Sequence, residues 1–371
     1  MNPLTNLSDE ELLDLKKKTE FEISKYNNFQ LVRKIQLNSA YGAVGNEFFR
    51  YYSTELAEAV TVTGQLIIQY IGNRINEFLN DASGTKGIDY IIASDTDSVY
   101  INMETIVEKF AKNKSTEEKI NYIDNCCKKI MTPFIEKQFD KLASTMNAYE
   151  NRISMEREVI ADKGIWTAKK RYMLNVWDSE GIRYSEPKQK IMGIETTRSS
   201  TPEIVRKKLK ECIHIILNKS EKDLIQFVET FRKEFYELNP ESIAFPRSVN
   251  GMKKYKDKDQ IYKKGTPIAV KGALLYNHYI DKLKINKKYN KISDGEKIKF
   301  LYLKKPNPLA GYKGDDCVIS FTNKLPKEFE LDGYIDYNLQ FEKTFIDPLS
   351  TILSVINWKY EEQNTLESLF I

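Results

Sequence analysis

Two short β-branched runs bracket an acidic tip. Tyr90-Ile91-Ile92-Ala93 precedes Ser94-Asp95-Thr96-Asp97-Ser98, and Val99-Tyr100-Ile101-Asn102-Met103 follows. Apolar runs of that length around a polar turn predict a β-hairpin. This hairpin constrains the chain because it sets two carboxylates at the edge of an apolar sheet. Charge there is costly unless a cation or hydrogen-bond donors offset it. Mg²⁺ takes one or two protein carboxylates together with phosphate oxygens and water, and two-metal phosphoryl transfer uses that arrangement. The competing reading is an Asx-turn, in which Asp bonds its own backbone. Composition narrows the chemistry. The only His residues are His214 and His278, and the four Cys, Cys126, Cys127, Cys212 and Cys317, show no CxxC spacing. His-rich metal sites, most His-based triads, zinc knuckles and a disulfide framework are thereby excluded. Carboxylates and hard ions remain, and a reducing compartment fits.

The chain has 371 residues, enough for two or three domains at roughly 100–200 residues each. Hydrophobic residues at 41% and aromatics at 12% are ample for large cores, which excludes global disorder. The most apolar stretch, 60–71, is broken by Thr61, Thr63, Gly64, Gln65 and Gln69, so no membrane span is expected. The first residues, MNPLTNLSDEELL, lack a basic flank and an apolar core, so no secretory signal is expected. Residues 8–44 predict two helices. The first starts at the capping box Ser8-Asp9-Glu10-Glu11, and the second runs over about 28–44, with Gly42 and Gly45 near its end. A long buried helix is predicted over 54–80, ended by Asp81-Ala82-Ser83-Gly84. Residues 104–148 read as mostly helical, and 159–176 as strands of the hairpin's own sheet. Helices return at Thr201, with Pro202 as first helical residue, and reach about Leu238. Residues 240–325 read as loop-rich and basic. A last helix spans about 341–358, before a polar tail with an apolar end.

A formal net charge of +4 hides local clusters of cations. Lys253, Lys254, Lys256, Lys258, Lys263 and Lys264 crowd one stretch with Tyr255 and Tyr262 between them, and Lys284, Lys287, Lys288 and Lys291 make another. Such clusters suit a polyanion or form a solvated surface. In Thr167-Ala168-Lys169-Lys170-Arg171-Tyr172, three adjacent cations precede an apolar strand and can grip a phosphate backbone. Along Lys34-Ile35-Gln36-Leu37-Asn38-Ser39-Ala40-Tyr41-Gly42, helical periodicity gathers Lys34, Asn38 and Tyr41 on one face. An ammonium, an amide and a phenol ring together suit a triphosphate beside a flat base. The alternative is an ordinary exposed helix face.

Taken together, these three strings resemble the family B DNA polymerases, and within them the replicative polymerases of large tailed phages. Lys34 to Gly42 is similar to the family's fingers motif, Asp95-Thr96-Asp97-Ser98 to its palm metal motif, and Lys169 to Tyr172 to its KKRY element. The likeness continues through Phe49-Arg50-Tyr51-Tyr52, Met155-Glu156-Arg157-Glu158, Ile191-Met192-Gly193-Ile194-Glu195-Thr196 and Ser199-Ser200-Thr201-Pro202, covering essentially the whole chain. It implies an α+β fold: an antiparallel palm sheet with helices, a helical fingers stub and a mixed, mainly helical thumb. The implied boundaries are 1–45 for the end of the fingers, 46–193 for the second palm segment and 194–371 for the thumb. It also implies an activity, attack of a primer 3′-hydroxyl on the α-phosphate of a dNTP, assisted by two Mg²⁺ ions. On this resemblance Asp97 is the metal ligand and Asp95 a supporting carboxylate. Lys34, Asn38, Tyr41 and Thr96 belong to the nucleotide site. Lys169, Lys170, Arg171, Tyr172 and Gly193 meet primer–template DNA, and Glu158 matches an acid near the metals.

The family's other metal motif, DxxSLYPS, is absent from the chain, as is the first fingers helix with its triphosphate ligands. The exonuclease and N-terminal domains are absent too. In the family's order all of these precede Lys34. The expectation is therefore a C-terminal subunit of a polymerase made as two chains, with the N-terminal half docking in trans and sharing the Mg²⁺ ions. The alternative is a non-catalytic DNA- and sliding-clamp-binding module, or the remnant of an interrupted polymerase gene. Leu366, Leu369 and Phe370 form an apolar hook that the resemblance assigns to a sliding clamp. The other reading is a segment packed back on the thumb. The expected compartment is the cytoplasm, that of the host for a phage-encoded chain.

Overall fold

The computed structural model describes residues 7–257, 260–309 and 317–362. The tail residues Leu366, Leu369 and Phe370, and Lys258 of the basic stretch, lie outside them. The fold is α+β, with small antiparallel sheets among helices. Two compact units divide the chain, Met1–Glu156 and Arg157–Ile371.

The first unit opens with α1, Asp9–Val44. The capping box forms as expected: the Ser8 hydroxyl accepts from the Glu11 N–H, and the Glu11 carboxylate accepts from the Ser8 N–H at 2.8 Å. Hydrogen bonds from the Ser8 N–H and the Ser8 hydroxyl hold the Glu11 carboxyl below its ordinary range. The two helices expected here are one. No Gly or Pro occurs between Asp9 and Tyr41, and Asn27-Asn28 lowers helix propensity too little to break a helix. None of its described residues is buried. Helix α2, Thr54–Ser83, ends at Gly84, whose φ of 67° gives a left-handed cap. The expectation of a buried helix holds only for its second half. Ile71, Ile75 and Leu79 are buried, whereas Leu56, Val60, Val62 and Leu66 are exposed.

That buried half of α2 carries the hairpin. Strands β1, Ile91–Asp95, and β2, Ser98–Ile101, pair antiparallel with Asp95 opposite Ser98. Two amides of α2 grip the approach to β1. The Asn76 side-chain carbonyl accepts from the Tyr90 N–H at 2.7 Å, and its NH₂ donates to the Asp89 carboxylate at 2.8 Å. The Asn80 side chain donates to the Ile88 carbonyl at 2.8 Å and accepts from the Ile88 N–H at 3.1 Å. Helices α3, Glu104–Ala111, α4, Thr116–Cys126, and α5, Thr132–Thr145, complete the unit, with a π-helical turn at Cys127–Met131. Ile106, Met131, Ile135 and Phe139 close the core with Ile71, Ile75, Leu79 and Tyr90.

The second unit opens with the antiparallel sheet β3–β4–β5, formed by Val159–Ala168, Arg171–Ser179 and Ile182–Met192. It is a separate sheet from the hairpin, contrary to the expectation of one shared sheet, because β3 pairs only with the strand that its own turn returns. The central strand, β4, is buried from Tyr172 to Val176. Beyond Val176 lies Asp178, fully buried and ion-paired with both Arg157 and Arg183. Its Oδ1 also accepts from the Gly181 N–H at 3.0 Å.

Helices α6, Glu203–Asn218, and α7, Glu221–Tyr236, follow, with Pro202 at the N-cap of α6. Then come α8, Pro240–Ile243, β6, Phe245–Ser248, and α9, Met252–Tyr255. The stretch expected to be loop-rich contains α10, Ile268–Lys282, a largely buried helix. It packs on β8, Val318–Phe321, through Gly272, where a Cβ would lie 2.4 Å from the Ser320 Oγ. The close approach explains the missing signal: a glycine inside a helical pattern reads as a breaker. Strand β7, Lys297–Tyr302, pairs with both β6 and β8. The last helical segment runs through α11, Tyr337–Phe341, a π-helical turn at Glu342–Ile346 and α12, Asp347–Ile356, matching the predicted helix. Phe231 and Phe235 of α7 meet Phe341 and Phe345 with ring centroids 4.9–5.8 Å apart.

No helix among the described residues is long and apolar enough to cross a membrane. None of the four cysteines is in a disulfide, and burial pushes the Cys212 thiol far above its ordinary range. The Asp178 cluster makes one prediction about stability. Asp178→Ala leaves two guanidinium groups without their shared carboxylate, and is expected to lower unfolding stability by about 3–5 kcal/mol, read from urea denaturation.

Candidate functional site

The hairpin tip is a two-residue turn, Thr96-Asp97, closed between Asp95 and Ser98. Backbone and side-chain hydrogen bonds tighten it. The Asp97 N–H donates to the Asp95 carbonyl at 2.6 Å, the Ser98 hydroxyl to the same carbonyl at 3.2 Å, and the Thr96 hydroxyl to the Asp95 Oδ1 at 3.0 Å. Thr96 adopts φ 51°. A β-branched residue in that left-handed region is strained, because its Cβ crowds the following carbonyl. The strain is sustained by α2, which fixes the approach to β1. The result places Asp95 half-buried and Asp97 exposed within one tight turn. Among the described residues no group of three or more His, Cys, Asp or Glu side chains could hold a metal ion. The tip therefore offers two carboxylates, a donor set that suits Mg²⁺ completed by phosphate oxygens and water.

Lys34, Asn38 and Tyr41 stand on the last third of α1, each exposed, as the helical spacing required. Gly42 lies inside the helix, and Gly45 caps it by donating to the Tyr41 and Ala43 carbonyls.

In the second unit the basic string forms the β3–β4 turn. Lys169 and Lys170 occupy its tip, both exposed. Lys170 adopts φ 62°. Gly193, just past β5, has φ 67° and lies against this tip so closely that a Cβ there would sit 2.2 Å from the Lys170 carbonyl oxygen. The glycine is thus required twice, by its conformation and by the contact. Arg171 turns away from the tip: its Nη2 donates to both carboxylate oxygens of Glu195, at 2.9 and 2.7 Å. Glu195 lies also 3.5 Å from Arg198, which donates to the Gly193 carbonyl at 3.1 Å. Tyr172 is buried in the sheet and stacks on its cross-strand partner Trp166, with centroids 6.1 Å apart.

Glu158 is exposed at the other end of β3, where Lys190 approaches to 3.5 Å and its carbonyl accepts from the Glu180 N–H at 2.7 Å. Glu158 and the Lys170 tip thus lie at opposite ends of β3. The structure thus groups Asp95, Thr96 and Asp97 on one turn and Lys34, Asn38 and Tyr41 on one helix face. It groups Lys169, Lys170, Arg171 and Gly193 at one sheet corner, with Glu158 apart from them. Glu195 and Arg198 are the residues that sequence reasoning left without a role. The partner of Glu195, Arg171, lies 24 positions away, beyond the reach of any local pattern.

Comparison with known proteins agrees with these motifs. The family model for DNA polymerase family B matches residues 10–356. The DNA-directed DNA polymerase of Enterobacteria phage T4 is 37% identical, the match covering 100% of this chain and 42% of that protein. That of Escherichia phage RB69 is 39% identical over 92% of this chain and 38% of its own length. The DNA polymerase delta catalytic subunit of Candida albicans is 26% identical over 55% of this chain and 17% of its own length. The chain thus spans about two fifths of the length of the two phage relatives.

Two substitutions test the geometry. Thr96→Gly removes the strained Cβ and is expected to stabilise the first unit by about 1 kcal/mol. Gly193→Ala combines a positive φ with overpacking and is expected to cost about 2–4 kcal/mol. Both are read from thermal and urea unfolding.

Proposed function

The chain belongs to the family B DNA polymerases, and from that premise we propose that it is the C-terminal part of a DNA-directed DNA polymerase. On this reading it supplies the end of the fingers, the later palm and the thumb. The observation that carries the proposal is the acidic hairpin tip, held in a strained turn, in a chain that matches the family over nearly its whole length. Asp97, with Asp95 in support, would hold Mg²⁺. The ion, when bound, would lower the pKa of the attacking primer hydroxyl and stabilise the leaving oxygens. Lys34 would meet the triphosphate as a point charge, Asn38 would hydrogen-bond it, and Tyr41 would pack its ring beside the nascent base pair. Lys169 and Lys170 would contact the phosphate backbone near the primer terminus, which orients DNA without reading its sequence. The basic stretches farther along would add sequence-independent contacts to the product duplex.

The remaining carboxylate ligand would come from an N-terminal half, docked in trans. Two observations support this. The tip holds too few carboxylates to position two ions. The first unit also leaves a large apolar surface open: Phe21, Phe29 and Leu37 on α1, Phe48 and Tyr51 after it, and Val60 on α2 are all exposed. Exposed apolar surface on that scale marks an interaction site. A sliding clamp would engage the tail through Leu366, Leu369 and Phe370.

The test is primer extension with Mg²⁺ and dNTPs, on this chain alone and after addition of a family N-terminal half carrying DxxSLYPS. Activity is expected only in the mixture. Asp97→Ala is expected to lower it at least about a hundredfold, with duplex binding retained. Extension by the lone chain at the mixture's rate would overturn the two-chain reading. Duplex binding without extension in any mixture would favour a non-catalytic DNA-binding module.

A further inference from the structure

Lys169, Lys170 and Arg171 are adjacent in sequence but do not share an environment. Arg171 is engaged by the Glu195 carboxylate through two contacts of 2.9 and 2.7 Å. The two side chains are 27% and 19% exposed, and the Arg171 Nε is buried without a hydrogen-bond partner. Arg198 draws the same carboxylate and holds the Gly193 carbonyl, and Gly193 in turn backs the Lys170 carbonyl. The contacts close a ring: turn tip, guanidinium, carboxylate, second guanidinium, glycine, turn tip.

Resting on the DNA-binding reading above, we infer that Arg171 is a positioning residue rather than a phosphate contact. Its guanidinium, with Glu195, fixes the β3–β4 tip to the segment after β5, so that Lys169 and Lys170 are presented in place. A guanidinium held on two sides by a carboxylate brings little net charge of its own to the duplex. A two-residue tip at a sheet corner is otherwise prone to fraying. Holding it in advance removes part of the ordering that binding would require.

Glu195→Gln decides the matter by sign. If Arg171 contacts phosphate, removing the neighbouring negative charge strengthens duplex binding. If Arg171 positions the tip, the same change weakens binding, by about 3- to 10-fold, and speeds amide exchange at residues 169–171 in the DNA-free chain. The assay is equilibrium binding of a primer–template duplex by the full chain across a salt series, with circular dichroism to check folding. Lys170→Ala is expected to reduce the slope of log affinity against log salt by about 1. Arg171→Lys keeps the charge but loses the planar fork, and is expected to weaken binding as Glu195→Gln does. Arg171→Glu combined with Glu195→Arg restores the pair and is expected to recover most of the loss. Should Glu195→Gln unfold the chain, this exchange decides: recovery supports the inference and its failure overturns it. Tighter binding by folded Glu195→Gln overturns the positioning role alone. Absence of salt-dependent duplex binding by the wild-type chain overturns the DNA-binding reading, and this inference with it.

Discussion

Strand β4 is the member on which the second unit's geometry turns, and both of its ends are fixed by charge. At its far end Asp178 is fully buried. An ionised carboxylate there is tolerated only because Arg157, Arg183 and the Gly181 N–H surround it. At its near end Arg171 is tied to Glu195. Between them the strand is buried from Tyr172 to Val176, and the Asn175 Nδ2 donates to the Asp162 carboxylate at 2.8 Å and to the Asn218 side-chain Oδ1 at 3.2 Å. The hydrophobic run supplies the driving force for burying β4. The ion pairs supply its register, because a one-residue slip would strand a charge at each end.

The two halves of the candidate site use opposite physics. At the acidic tip like charges are brought together on a strained turn, and the turn persists because α2 grips its approach through Asn76 and Asn80. At the basic corner Arg171 is paired with Glu195 within the chain, and Lys169 and Lys170 stand exposed at the tip. Both features sit on turns held by regular elements.

Sequence reasoning read most local features and missed most long-range ones. The capping box at Ser8, the hairpin over 90–103, the Gly84 stop and the last helix each carry their signal within a few residues. The two helices expected over 8–44 are one, because nothing in that stretch forbids helical dihedrals. The stretch expected to be loop-rich over 240–325 contains α10, whose Gly272 lets it approach β8 closely. The shared-sheet expectation failed because strand pairing is set by partners, not by apolar runs. The placement of Asp95 and Asp97 on one turn, and of Lys34, Asn38 and Tyr41 on one helix face, was legible from spacing. The Arg171–Glu195 pair was not, because its carboxylate comes from another segment.

Helix α1 has little of the packing that usually holds a helix in place. Its 36 residues bury no side chain, and its apolar residues, from Leu13 to Tyr41, are not gathered into one stripe that a single neighbour could cover. An amphipathic surface helix has one apolar face; a helix apolar on several sides is stable in water only when enclosed. Local devices, the capping box and the Lys16–Glu20 and Asp14–Lys18 pairs, are solvent-exposed and contribute little. Tertiary packing supplies most helical stability in proteins, and the described part of α1 has little of it. The face bearing Lys34, Asn38 and Tyr41 therefore acquires a fixed position only when something encloses the rest of the helix.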